Sequence, residues 1–270
     1  MTSSGEQDLE ALVRTVAASS GYRGLARELI VSVGACELGK RRTLKEAVKA
    51  TKGKLHQVAG AYFPRQDYGS WLKTLEQAVA TRSPEAVKAA CRTILGHHAS
   101  TRERLPILDD LYAQTLGSLP PIHLVLDVAC GLNPLTIPWM PLPPDAQYVA
   151  YDVYPDLAMF LEAAFPLLGL RGEAHVADVT GGTPTEHADL ALLLKTLPCL
   201  EQLDKAAGAR LLDALDADHL LISFPVRSLG GRGKGMVATY DAQMERLLAD
   251  KPWSVARFEL VTELAFLISK

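Results

Sequence analysis

No apolar run in this chain reaches the roughly 18 residues that a membrane-spanning helix needs. Its first ten residues are polar and acidic, so no secretory leader is expected. Cysteine is scarce. The four thiols (Cys36, Cys91, Cys130, Cys199) lie far apart and form no C-x-x-C pair, which argues against structural zinc and for a reducing compartment. His97 and His98 have no third ligand at a sensible spacing, so no metal site is expected. Two nucleotide-binding signatures are also missing. No G-x-G-x-x-G follows an apolar run, and Gly233-Lys234 lacks both the following Ser or Thr and the upstream glycine of a Walker loop.

What is present is an ordinary globular composition, 48% hydrophobic and 22% charged, in a chain of 270 residues. The net charge of −3 conceals an asymmetry. Residues 1–118 carry 17 Lys and Arg against 12 Asp and Glu, whereas residues 119–270 carry 11 against 19. The densest basic patch is Lys40, Arg41, Arg42, Lys45, Lys49, Lys52 and Lys54, opposed only by Glu46. Such a block is a solvated helix face or a contact for phosphates.

The pattern of the chain changes at the same place. Apolar residues recur at helical spacing before Gly117-Ser118-Leu119-Pro120-Pro121, with one helix predicted from the Ser100–Glu103 capping box to about Leu116. After it, short apolar runs predict strands at 122–127, 147–151, 173–177, 188–194, 218–224, 255–261 and 263–268. Helices are predicted near 155–168, 201–216 and 238–249, and the prolines of 136–146 leave no room for a long one. This alternation predicts an α/β sheet with one antiparallel strand contributed by the last hairpin. The expected division is a helical domain over 1–118 and an α/β domain over 119–270.

Three acids fall at the ends of the first three predicted strands: Asp127, Asp152 and Asp178. Asp127 is followed by a small-residue turn, Ala129-Cys130-Gly131, and Asp152 lies 21 residues beyond Gly131. In a doubly wound sheet the carboxyl ends of the strands form the ligand edge, and an acid at the tip of strand two is placed to hold ribose hydroxyls. The layout resembles class I S-adenosylmethionine-dependent methyltransferases, with their Rossmann-like, mostly parallel seven-stranded sheet. That resemblance implies that Asp127, Ala129 and Gly131 serve the methionine part, Asp152 the ribose, and Asp178 with Val179 the adenine.

Strand four ends at Lys195, with no Asn-Pro-Pro or acidic motif for an exocyclic amine. Strand five is followed by a cationic glycine loop containing Arg227, Arg232 and Lys234, suited to phosphates and guanine edges. Together with Val125–Pro134 (VLDVACGLNP), His98–Leu105 (HASTRERL), Lys195–Leu200 (KTLPCL) and Ser223–Met236 (SFPVRSLGGRGKGM), these features resemble the aminoglycoside-resistance 16S rRNA methyltransferases. More narrowly they resemble the branch that methylates N7 of guanine-1405 in the decoding site.

The resemblance implies S-adenosyl-L-methionine as cofactor and 16S rRNA within the assembled 30S subunit as substrate. It implies a cytoplasmic monomer without metal, and resistance to gentamicin and kanamycin. It also assigns residues. Phe63, His98, Ala99 and Ser100 close over the cofactor, Arg104 (or its neighbour Arg102) meets the methionine carboxylate, and Leu194 lines the adenine side. Lys195 and Arg232 sit beside the target base, and the basic patch with Arg227 and Lys234 contacts RNA. Two alternatives stay open at this point: an adenine-N1 methyltransferase of the same decoding site, and a non-catalytic ribosome-binding factor that retains a nucleoside pocket.

Overall fold

The computed structural model describes residues 3–60, 66–226 and 235–270. Seven helices come first: α1 (Ser3–Ala17), α2 (Arg27–Leu38), α3 (Leu44–Leu55), α4 (Tyr68–Ala80), α5 (Pro84–Leu95), α6 (Ala99–Arg104) and α7 (Leu108–Leu116). Local chemistry sets their starts. The side chains of Thr43, Asp67 and Ser83 accept from the backbone N–H three residues on, at 3.1–3.2 Å. The capping box expected at Ser100 is not used, because α6 begins two residues earlier, at Ala99, with His98 at its N-cap. The helix expected to continue to Leu116 is divided. Pro106, which has no N–H to give, sits in a 3-10 turn over Leu105–Ile107 between α6 and α7.

The remaining strands and helices are β1 (Leu124–Val128), β2 (Gln147–Asp152), α8 (Pro155–Leu167), β3 (Arg171–Val176), β4 (Ala188–Leu194), α9 (Thr196–Leu203), α10 (Ala207–Ala214), β5 (Ala217–Pro225), α11 (Met236–Leu248), β6 (Ser254–Glu259) and β7 (Glu263–Ser269). The single helix predicted over 201–216 is two, because the Asp204 side chain accepts from the Ala206 N–H and turns the chain there. The sheet order is β3-β2-β1-β4-β5-β7-β6. β1 to β5 pair in parallel, and β7 runs antiparallel to both β5 and β6. This is the sheet of a class I methyltransferase.

The central strands are buried on both faces, so they read as continuous apolar runs. Alternate residues feed different cores. Val125, Leu190, Leu192 and Leu221 pack with Trp71, Leu75, Ile94, Leu111 and Leu116 of the helical region. Leu126, Val128, Ala191, Leu193 and Ile222 pack with α9, α10 and α11 through Leu200, Leu211 and Met244. A third cluster joins α1 to α3 through Leu12, Ile30, Val33 and Leu55. Helices give way to strands between Leu116 and Leu124, yet the apolar core spans that point: α4, α5 and α7 share one buried cluster with α8 and the strands, and α1 to α3 form a separate one. Among the described residues no helix is long and apolar enough to cross a membrane.

Candidate active site

The strand order reverses between β1 and β4, and at that switch point a cleft opens over the carboxyl ends of the parallel strands. Its wall includes Ala129 and Gly131 after β1, Asp152 to Tyr154 at the end of β2, Ala177 and Val179 after β3, and Leu194 to Thr196 at the end of β4. His98 and Ser100 border it from the helical region, as does Val58.

Two residues of that wall hold a backbone shape that side chains disfavour. Ala129 and Lys195 have φ of +55° and +62°, and they end the two strands that flank the switch point. Such conformations persist only where the surroundings enforce them. Thr196 supplies part of that enforcement, since its hydroxyl donates to the Val128 carbonyl at 3.0 Å and ties the end of β4 to the end of β1. Gly131 shares that left-handed backbone, at φ +53°, where glycine is unstrained, and a Cβ there would also stand 3.3 Å from the His98 ring, close enough that the ring would have to shift by a few tenths of an ångström. His98 is buried, and burial, with the charges of Arg104, Lys195 and Arg102 adding to it, holds its imidazole down to about 3, so the ring is neutral at physiological pH.

Asp152 organises the cleft. Its Oδ2 accepts from the Gly131 N–H at 2.8 Å and its Oδ1 from the Val153 N–H at 2.7 Å, so one carboxylate fixes both the glycine turn and the residue after β2. Burial raises its carboxyl above the usual range, against the opposing effect of backbone hydrogen bonds from Gly131, Val153 and Tyr154.

Beneath the wall lies a buried polar network. Arg104 donates from Nε and Nη2 to the two oxygens of Glu263 at 2.9 and 3.1 Å, and from Nη1 to Asn133 at 2.7 Å. The Ser223 hydroxyl donates to Glu263 at 2.7 Å. The Lys195 ammonium donates to the Ser100 carbonyl at 3.0 Å and to Glu103 at 2.9 Å, and stands 3.3 Å from Glu263. Asn133 and the Tyr148 hydroxyl both donate to Asp127, at 2.9 and 2.6 Å.

The family model described as "Ribosomal RNA methyltransferase (FmrO)" matches residues 18–267. The chain belongs to this family. A 16S rRNA (guanine(1405)-N(7))-methyltransferase of Frankia casuarinae is 40% identical, with 99% of this chain and 95% of the relative aligned. One from Serratia marcescens is 34% identical over 95% of this chain and 96% of its own length. The crystal structure of the 16S rRNA methyltransferase RmtF in complex with S-adenosyl-L-homocysteine superposes with a TM-score of 0.80 at 32% identity, covering 100% of this chain and 99% of that one.

The methyltransferase brings together on one wall His98, Ser100, Ala129, Gly131, Asp152, Val179, Leu194 and Lys195 of the residues singled out from sequence. Four others lie off it. Asp127 shares the sheet face of Val125 and points into the polar network. Arg104 is fully buried and engaged by Glu263 and Asn133. Asp178 turns to its own loop, accepting from the N–H and hydroxyl of Thr180 at 2.9 and 2.6 Å. Ala99 begins α6 behind the wall. Phe63, Arg227, Arg232 and Lys234 lie outside the described residues.

Of the basic patch, Lys40, Arg41, Arg42, Lys45 and Lys49 are exposed, Lys52 and Lys54 half-buried. Arg41 is held by the buried Glu37. Lys54 reaches the Gln202 carbonyl of α9 and so joins two parts of the molecule. The residues that sequence reasoning missed are Glu263, Asn133, Tyr148, Glu103 and Thr196. For Glu263 a signal existed: a final antiparallel strand starts at the ligand edge, and this one starts with an acid.

Asp127 carries a pH prediction. Burial raises its carboxyl to about 6, outweighing the hydrogen bonds from Tyr148 and Asn133 and the nearby charge of Arg104. The folded chain then keeps a proton that the unfolded chain releases near 3.8, so this group's contribution to stability falls as pH rises from about 4 to about 6 and is level above that. Thermal midpoints of wild type and D127N, compared across pH 4 to 7, should converge or cross in favour of the variant over that interval. A constant difference would contradict the assignment.

Proposed function

We propose that this chain methylates N7 of guanine-1405 in 16S rRNA, using S-adenosyl-L-methionine, and thereby excludes 4,6-disubstituted deoxystreptamine aminoglycosides from the decoding site. The observation that carries the reading is the near full-length match to guanine-1405 N7 methyltransferases, combined with a cleft at the β1/β4 switch point. The residues present fit the cofactor. An acid ends β2, the turn after β1 carries a glycine at positive φ close against the His98 ring, and Val179 and Leu194 give the far wall an apolar surface.

In this reading Asp152 holds the ribose, Val179 and Leu194 flank the adenine, and the backbones of Ala129 and Gly131 border the methionine part. Arg104 has used three of its five N–H donors on Glu263 and Asn133, and the other two serve the methionine carboxylate. The roles sketched for Asp127 and Asp178 become indirect, one anchoring Asn133 and the other shaping the Val179 turn. S-adenosylmethionine supplies an electrophilic methyl group.

Neutral guanine has a lone pair and no proton at N7, so no general base is needed. The end of β4 agrees with this, since an ammonium that already donates to its neighbours is not a proton acceptor. Lys195 and Arg232 position the unstacked base, and proximity and alignment supply the rate.

Residues 1–118 dock on the assembled 30S subunit, with the chain acting as a cytoplasmic monomer. Lys45 and Lys49 lie one turn apart on the exposed face of α3. The K45E/K49E variant should bind 30S subunits about tenfold more weakly with a shallower salt dependence. Its affinity for S-adenosylhomocysteine should not change, as filter binding and calorimetry would check. Cells expressing the chain should grow in kanamycin and gentamicin but remain sensitive to apramycin. Apramycin resistance would favour adenine-N1 methylation, and sensitivity to all three would contradict both.

A further inference from the structure

Lys195 is the wall residue with the most unusual setting: left-handed backbone, nine-tenths buried side chain, and an ammonium placed among Ser100, Glu103 and Glu263. These three acceptors are not equivalent. The Ser100 carbonyl is neutral. Glu263 is shared, because both of its oxygens already accept from Arg104 and one also accepts from Ser223. Glu103 has Lys195 as its partner among the described residues, at 2.9 Å. Its carboxylate is therefore the one that balances the lysine charge.

Glu103 was expected to close a capping box with Ser100, but α6 starts at Ala99 and leaves that carboxylate to Lys195.

We propose that Glu103 is a positioning residue for methyl transfer, fixing Lys195 beside the acceptor base while cancelling its charge. The inference rests on the reading of Lys195 as a base-contacting residue. As the N7 lone pair forms the new N–C bond and the S–C bond breaks, the positive charge leaves sulfur and appears on the purine ring. A bare ammonium beside that ring would oppose the charge it acquires. An ammonium paired with a carboxylate is held in place without imposing a net charge on the ring, and with two of its three N–H donors on Ser100 and Glu103 it has one left, now 3.3 Å from Glu263, to turn to the nucleotide. Glu103 suits this role by position. It is held on the short helix α6, and its side chain is one-third exposed (33%) where that of Lys195 is 9%, so the carboxylate keeps contact with solvent while it holds the buried ammonium.

The test is single-turnover methylation of 30S subunits by wild type, E103Q and E103D, with S-adenosylmethionine and enzyme saturating, alongside calorimetry with S-adenosylhomocysteine. Gln keeps the size and an acceptor oxygen but loses the charge. E103Q should slow methyl transfer by about tenfold or more while its S-adenosylhomocysteine affinity stays within about twofold of wild type. E103D, which keeps the charge, should be faster than E103Q. A rate for E103Q within about twofold of wild type would overturn the proposal. So would a parallel loss of rate and cofactor affinity by the same factor, which marks a merely structural role, or an E103D slower than E103Q. Wild type separates the two failures: if it incorporates no methyl group the reading of the activity fails and this inference with it, whereas normal wild-type incorporation matched by E103Q sinks the Glu103 inference alone.

Discussion

Asp152→Ala is expected to weaken S-adenosylhomocysteine binding by at least about a hundredfold, measured by calorimetry on folded protein. The carboxylate accepts from Gly131 on one side and Val153 on the other, so its removal strips partners from two backbone N–H groups in the cleft wall. Each unsatisfied buried donor costs about 1–3 kcal/mol, and the proposed bond to the ribose is lost in addition. The disturbance also has a path outward. The Val153 carbonyl accepts from the Ala26 N–H at 2.7 Å, where the chain enters α2, so the residue that steadies Asp152 also anchors the first helical core. A D152A protein that bound S-adenosylhomocysteine within about threefold of wild type would show that the end of β2 does not hold the cofactor.

Glu263→Ala is expected to be the most destabilising single substitution in the site. Glu263 is fully buried and faces Arg104, Lys195 and the Ser223 hydroxyl. Burial alone would raise its carboxyl, but the charges of Arg104 and Lys195 and the hydrogen bonds from Arg104 and Ser223 outweigh burial and leave it below the usual range. By linkage, that stabilisation is present above the unfolded carboxyl's range and is lost as pH falls through the folded value.

Alanine would leave the Arg104 guanidinium buried without its bidentate partner. Breaking a buried pair on one side costs about 3–5 kcal/mol, which for a chain of this size lowers the thermal midpoint by about 10 °C. Removing both charges is a different experiment. R104M/E263L should recover much of the lost stability, because two apolar side chains replace two ions and leave no lone charge, while losing affinity for the methionine carboxylate. An E263A midpoint within about 2 °C of wild type would mean that the pair contributes little.

The parts of the fold that sequence reveals are those governed by local patterns. Each of the seven strands was expected within a few residues of where it lies; β1, β4 and β5, central and parallel, are buried on both faces and read as unbroken apolar runs, whereas the edge strands β3 and β6 are largely exposed and were marked by shorter runs. The reversed last strand was expected as well. Two helices were not divided correctly, at Pro106 and at Asp204, where a missing N–H and a side-chain turn override helical periodicity.

The site divided along a similar line. Asp152 and Gly131 carry a legible spacing, and both line the cleft. Asp127 looked equivalent to Asp152, but strand alternation sends its side chain to the face of Val125, into a network assembled from Tyr148 and Asn133. Glu103 and Glu263 are 160 residues apart in sequence and meet only through Lys195. No local pattern announces such a meeting; it follows from the sheet order. Asp178 shows the reverse limit, an acid in the expected place whose side chain serves its own turn.

The cleft at the β1/β4 switch point is proposed to deliver a methyl group to one nitrogen of one nucleotide in the small ribosomal subunit. The most direct test is to incubate the purified chain with 30S subunits and S-adenosylmethionine, reduce the extracted 16S rRNA with borohydride, cleave with aniline and map the breaks by primer extension. The expected result is a single new strand break at guanine-1405 that requires both enzyme and S-adenosylmethionine. An intact backbone at that position, from subunits that a bona fide N7 methyltransferase modifies under the same conditions, would contradict it.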